Sequence, residues 1–185
     1  MIKIIGICFL AAGIIFFAGC MQKENSSVLS DPEDHPLEVL ALSLAMMQGY
    51  VDYTTSRRIS ASSTTIFSVI TDYEKYPVYF PDLHDSVEII SKVKNGKGVV
   101  WKSTGTFKGV TFTTIWEVTE YISDRKVVMK DTEGEGTVTL TITQCSLTSC
   151  TYTYDAHIFM FLPYKDEFFA IFEKEADSVK HYSEI

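Results

Sequence analysis

From His84 to Met160 apolar and polar residues alternate in one short run after another. The runs are DSVEIISKV, GVVWKSTGTF, VTFTTIWEVTEY, RKVVMKD, GTVTLTITQC and CTYTYDAHIFM. A period of two with β-branched and aromatic residues predicts strands. The joints KNGKG, KG, ISD, EGEG and SLTS carry turn residues, so the six strands read as an antiparallel meander. Upstream, TTSRRISAS also alternates and predicts a strand, with Ser60, Ser62 and Ser63 available as helix caps. STTIFSVITDYEKYPVYFPDL then predicts two short helices broken at Thr71-Asp72, the second limited by Pro77 and Pro81. After Pro163 the period lengthens to that of a helix: Phe168, Phe172, Ala176 and Val179 share one face, and Glu173, Lys174, Asp177 and Lys180 another. The element order is β-α-α-β-β-β-β-β-β-α in an α+β chain.

Alternation also assigns faces. One face of the strands carries Val87, Ile89, Trp101, Phe112, Trp116 and Val118, followed by Val127, Met129, Val138, Leu140, Ile142, Tyr152, Tyr154 and Ile158. The other is threonine and charge, including Lys102, Glu117, Lys130 and Asp155. Only the first can meet the long helix.

The first residues follow a different rule. Lys3 precedes an uncharged run from Ile4 to Phe17, and the small pair Ala18-Gly19 leads to Cys20. This order is that of a secretory signal, and the run is slightly short for a spanning helix. Phe17-Ala18-Gly19-Cys20 resembles the lipobox of bacterial-type lipoproteins, in which the chain is cut before the cysteine and that cysteine is acylated. The resemblance implies a signal peptide at 1–19, lipidation of Cys20, and a location on the extracytoplasmic face of the cell membrane, held by the lipid. An uncleaved anchor would also leave the chain outside. Residues 20–53 read as a polar tether and a short helix that Pro36 opens and Gly49 stops. The domain proper is expected at 54–185.

The full chain carries 16 Lys+Arg against 24 Asp+Glu, a formal charge of −8. That balance disfavours nucleic acid and anionic headgroups as partners.

The segment ISASSTTIFSVITDYEKYPVYFPDLHDSVEII resembles the helix-grip superfamily, the START-like or SRPBCC group of polyketide cyclase/dehydrase-like and lipid-transport proteins. Asp72, Tyr76, Pro77 and Pro81 fall in register with its motif, Tyr79 stands where many members carry Trp, and EVTEY recurs in the group. The resemblance covers about 54–185. It implies a curved seven-stranded antiparallel sheet wrapped around a long C-terminal helix, with an apolar cavity between them. The partner it implies is a hydrophobic small molecule: a lipid, quinone or polyketide-like compound. Trp101, Phe112, Trp116, Met129, Tyr152, Tyr154, Phe168 and Phe172 are expected to line the cavity; the four Trp and Tyr add oriented polar atoms.

Catalysis would need a placed acid/base pair or an activated nucleophile. His84 falls in a loop, and no histidine lands on the inward face with a carboxylate beside it. Asp155 and His157 share a strand face as a solvated pair. There is no metal-ligand spacing, no phosphate loop and no cofactor motif. Binding without turnover is the first expectation; a cyclase- or hydrolase-type enzyme and an interaction module with a filled core are the alternatives. Cys145 and Cys150 bracket SLTS in a disulfide-permitting compartment. Pairing Ile142 with Tyr152 places the two cysteines on opposite faces, so a disulfide there requires an irregular hairpin.

Overall fold

The computed structural model describes residues 47–185. The signal segment, Cys20, the tether and nearly all of the expected N-terminal helix lie outside the described residues. Strand β1 is Gln48–Ile59; helix α1, Ser63–Ile70; a 3-10 turn at Tyr73–Lys75 leads into the one-turn helix α2, Tyr76–Tyr79. Strands β2 (Ser86–Ile89), β3 (Val100–Phe107), β4 (Val110–Ile122), β5 (Lys126–Asp131), β6 (Thr137–Thr143) and β7 (Cys150–Phe161) follow, and helix α3, Lys165–Glu184, ends the chain. The seven strands form one sheet in the order β1-β7-β6-β5-β4-β3-β2, every neighbouring pair antiparallel. This is the helix-grip α+β architecture.

β1 begins at Gln48, not at Thr54 as the sequence suggested, and Gly49 lies inside the strand instead of stopping a helix. The cause is the partner: β7 runs on to Phe161, and Gln48 pairs with it there. Unpaired edge amides of β7 would otherwise have no strand to satisfy them.

Local chemistry explains the other joints. The Ser62 hydroxyl accepts from the Thr65 amide and starts α1; the Thr71 hydroxyl donates to the Phe67 carbonyl at its end. Lys108 and Gly109 both have positive φ, the conformation a two-residue hairpin demands. A bulge between Val118 and Glu120 shifts the β4–β5 register and bends the sheet. It also turns Tyr121 inward, where its ring meets Phe67 edge-on.

α3 lies across the concave face. Phe172, Ala176 and Val179 are buried against strands and α1; burying each large apolar side chain contributes about 2 kcal/mol. On its other side, Arg57 of β1 is bonded to Glu173 and, at 2.5 Å, to Asp177. Cys145 and Cys150 form a disulfide. Ile142 does pair with Tyr152, and the irregularity that brings the sulfurs together is the left-handed Gln144, φ 48°. Among the described residues no helix is long and apolar enough to cross a membrane.

Candidate ligand cavity

β5 and β6 are shorter than the strands beside them. Val110–Ile115 of β4 and Ile158–Phe161 of β7 run on past the hairpin tip at 132–136, so a gap opens in the sheet there. Behind the gap, between sheet and α3, is a cavity of about 570 Å³, within the range of small-molecule sites. Asp131, Glu133 and Glu135 stand at its mouth, and the Tyr50 hydroxyl donates to Glu135 at 2.6 Å, tying the hairpin tip to β1.

Trp101, Phe112, Trp116, Met129, Tyr152, Tyr154, Phe168 and Phe172 all border this cavity. The strands supply six of them because inward positions on β3, β4, β5 and β7 point to one space; α3 supplies the two phenylalanines. Their rings pack in pairs. Trp101 stacks on Trp116 at 6.2 Å and Tyr154 on Phe172 at 5.5 Å. The Trp116 indole donates to Thr114, whereas the buried Trp101 indole N–H has no acceptor among the described residues.

One part of the wall is polar. The loop after α2 approaches β3 so closely that a Cβ on Gly105 would lie 2.1 Å from the Leu83 carbonyl oxygen. This approach seats His84 against β3, its Nδ1 2.6 Å from the buried Ser103 Oγ. Its other nitrogen, Nε2, lies 3.7 Å from Oε1 of Glu175 on α3. Glu175 is 8% exposed. His84 and Glu175 both border the cavity. The hydroxyl of Ser103 has no other partner among the described residues, so it donates to Nδ1 and leaves the ring proton on Nε2. Nε2–H and the Glu175 carboxyl thus meet the cavity with no protein hydrogen bond between them, since 3.7 Å is too long for one.

Electrostatics keep this corner neutral. Burial pulls the His84 pKa down to about 4, against a smaller upward pull from Asp85. Burial pushes Glu175 up to about 8, helped by the nearby charge of Asp82. Burial also raises Tyr76, Tyr152 and Tyr154, with the Glu175 charge adding to each. A neutral imidazole and a protonated carboxyl result, both able to donate a hydrogen bond or exchange a proton. Among the described residues no Lys or Arg borders the cavity.

The expectation that no histidine stands inward beside a carboxylate is therefore corrected: His84 does, because the loop carrying it is pressed onto β3 at Gly105. Glu175 had a signal in the sequence. It lies three residues after Phe172 and four before Val179, within the apolar stripe of α3. Ser103 had one too, as a small polar residue on the inward parity of Trp101. His84 had none, since loops carry no periodicity. His157 bonds Asp52 at 2.7 Å instead of Asp155, and Asp155 accepts from Thr54. Among the described residues no three His, Cys, Asp or Glu side chains gather as a metal site.

Comparison with known proteins follows the same lines. A family model described as polyketide cyclase / dehydrase and lipid transport matches residues 59–181. No curated protein matches the sequence. Among solved structures, the protein TTHA0849 from Thermus thermophilus is 11% identical with a TM-score of 0.61, covering 72% of this chain and 97% of that one. A START superfamily protein from Mycobacterium smegmatis is 14% identical, TM-score 0.59, over 72% of this chain and 98% of that one. Norcoclaurine synthase from Thalictrum flavum, in complex with dopamine and hydroxybenzaldehyde, is 13% identical, TM-score 0.55, over 76% and 90%. At these identities the likeness is one of fold.

Proposed function

We propose, for a chain that belongs to the polyketide cyclase / dehydrase and lipid transport family, a role as an extracytoplasmic, membrane-tethered protein that holds a hydrophobic, lipid-like small molecule. The observation that carries this reading is the cavity: about 570 Å³ behind a gap in the sheet, walled mainly by aromatic and aliphatic side chains. A space of that size speaks against a filled-core interaction module. The ligand classes that fit are lipids, quinones and polyketide-like compounds. The tether rests on Lys3, the run Ile4–Phe17 and the lipobox-like Phe17-Ala18-Gly19-Cys20.

Organic extraction of the purified full chain, followed by mass spectrometry, tests the binding. A single apolar compound at near one per chain supports it. Only carrier lipid, with no uptake from a panel of phospholipids, quinones and aromatic polyketides, would overturn it. Cys20→Ala is expected to abolish incorporation of labelled fatty acid and release the protein from the membrane fraction; persistent labelling sinks the anchor.

One observation favours a second reading, a cyclase-type enzyme: the partly buried His84 and the buried Glu175 are neutral and turned toward the ligand space. Conversion of the extracted compound to a new mass on incubation with fresh protein would establish it.

A further inference from the structure

We infer that His84 and Glu175 form a polar anchor for one uncharged ligand oxygen, a carbonyl or a hydroxyl, and that the ligand is otherwise apolar. The inference deepens the binding function proposed above and rests on it. Three observations carry it. The two side chains arrive from separate elements, the loop before β2 and helix α3, and end 3.7 Å apart at the cavity wall. Their facing atoms have no protein partner among the described residues, although Glu175 is 8% exposed. Buried polar groups are nearly always satisfied, so a group left open toward a cavity is waiting for something. Finally, His84 is held in one tautomer. The Ser103 hydroxyl occupies Nδ1, which fixes Nε2–H as a donor toward the space in front of Glu175.

The charge of the ligand follows from the rest of the lining. Among the described residues the acids Asp131, Glu133, Glu135 and Glu175 border the cavity and no Lys or Arg does. A carboxylate or phosphate brought to this corner would lose its hydration and gain no cation. A ketone, quinone, ester or alcohol oxygen loses little and can accept from Nε2–H and from the protonated carboxyl together, or accept from one and donate to the other. The hydrocarbon part of such a molecule then lies along the Trp101–Trp116 and Tyr154–Phe172 stacks. The anchor therefore selects neutral oxygenated hydrophobes and rejects free fatty acids and phospholipid headgroups.

The test uses the full chain in phosphatidylcholine nanodiscs at pH 7, with radiolabelled 2-dodecanone, dodecane and dodecanoate. Bound ligand is the excess over empty discs, so all three start from the same lipid. The wild type should prefer the ketone, and Glu175→Leu should lower the ketone-to-dodecane ratio about 10-fold, as expected for loss of one strong or two ordinary hydrogen bonds. Ser103→Ala, a small change at a buried site, guards against misfolding of the first variant. It frees the His84 tautomer and should lower the ratio about 3-fold. Glu173→Leu, on the other side of α3, should leave it unchanged. A ratio unaffected by both Glu175→Leu and Ser103→Ala, or dodecanoate held as well as the ketone, overturns the anchor while leaving the binding function standing. No excess of any of the three ligands over empty discs overturns both.

Discussion

Glu173 and Glu175 stand two residues apart on α3, which puts them about 200° apart around the helix. Glu173 faces the edge of β1, where the Tyr53 hydroxyl and the Arg57 guanidinium both donate to it. These bonds hold its carboxyl below the usual range, Tyr53 contributing most. In the same exchange, burial first and the Glu173 bond second push the Tyr53 hydroxyl up to about 12. Glu175 faces inward, with no donor on its carboxyl, and burial pushes it up to about 8. One helix thus carries a charged carboxylate that fastens it to the sheet and a neutral one that fastens it to nothing. The outer seam is structure: it closes β1 onto α3, and every group in it has a partner. The inner carboxyl costs stability and has no bonded partner in return, the profile of a group kept for what it binds.

The largest effect comes from the contact that builds the inner region. A methyl group at position 105 would meet the Leu83 carbonyl oxygen at 2.1 Å and the Phe112 ring at 2.7 Å. Neither can yield cheaply: one is backbone and the other is a cavity wall. Gly105→Ala should cost about 3 kcal/mol and lower the melting temperature by roughly 10 °C. It should also move the His84 ring resonances in an NMR spectrum and leave those of Arg57 in place. If His84 is undisturbed, the close approach does not seat it, and the division into two independent regions fails.

The pH dependence of stability sharpens the comparison next. On folding, Glu175 goes from 4.5 to about 8 and takes up a proton where the unfolded chain has none. His84 goes from 6.5 to about 4 and releases one. Between pH 4.5 and 6.5 the two changes cancel and stability is level with respect to them. Above 6.5 the unfolded histidine is already neutral, so only the uptake at Glu175 remains. Stability then falls as pH rises, by about 1.4 kcal/mol per unit, and levels off above the folded pKa near 8. The decline totals about 2 kcal/mol. Below 4.5 the His84 release lowers stability as pH falls. Urea melts at pH 6.5 and 8 should show the decline in the wild type and lose it in Glu175→Gln, which has no proton to take up. An equal decline in Glu175→Gln would assign it elsewhere.

How far the sequence could see follows the same division. Helical spacing brought in Phe168 and Phe172, while strand alternation, also a local signal, identified the sheet, its hairpins and six of the aromatic and methionine positions now seen at the cavity. It could do so because side chains on one strand face have no choice of direction once the register is fixed. The inner polar corner depends instead on a loop crossing onto β3, a contact between residues such as His84 and Ser103, 19 apart, with no periodic trace. Glu175 was readable in principle, since a carboxylate within an apolar helical stripe breaks the pattern. Its neighbours Glu173 and Asp177 lie on the other, more exposed side of the same helix, so local charge does not single it out. The start of β1 was misplaced for a related reason: Gly49 favours a stop in an isolated segment, and only the reach of β7 makes it a strand residue. Gln144 is the third case, a single left-handed residue that turns Cys145 toward Cys150 where alternation aimed it away.

The smallest effect belongs to the outer seam. Arg57 is 21% exposed, Glu173 46% and Asp177 65%, so water competes for every bond in the network. Arg57→Met keeps most of the side chain's packing and removes only the charge. It should cost about 1 kcal/mol at low salt, because exposed ion pairs are weak singly and gain only modestly as a network. In 1 M salt, where screening acts over about 3 Å, wild type and variant should come closer together. The nanodisc ketone-to-dodecane ratio should not change, since Arg57 does not border the cavity. A loss above about 3 kcal/mol, the scale of breaking a buried pair, would mean that the seam is dry and that α3 is fastened by charge. The contrast between a solvated seam and a sealed, neutral corner would then have to be redrawn.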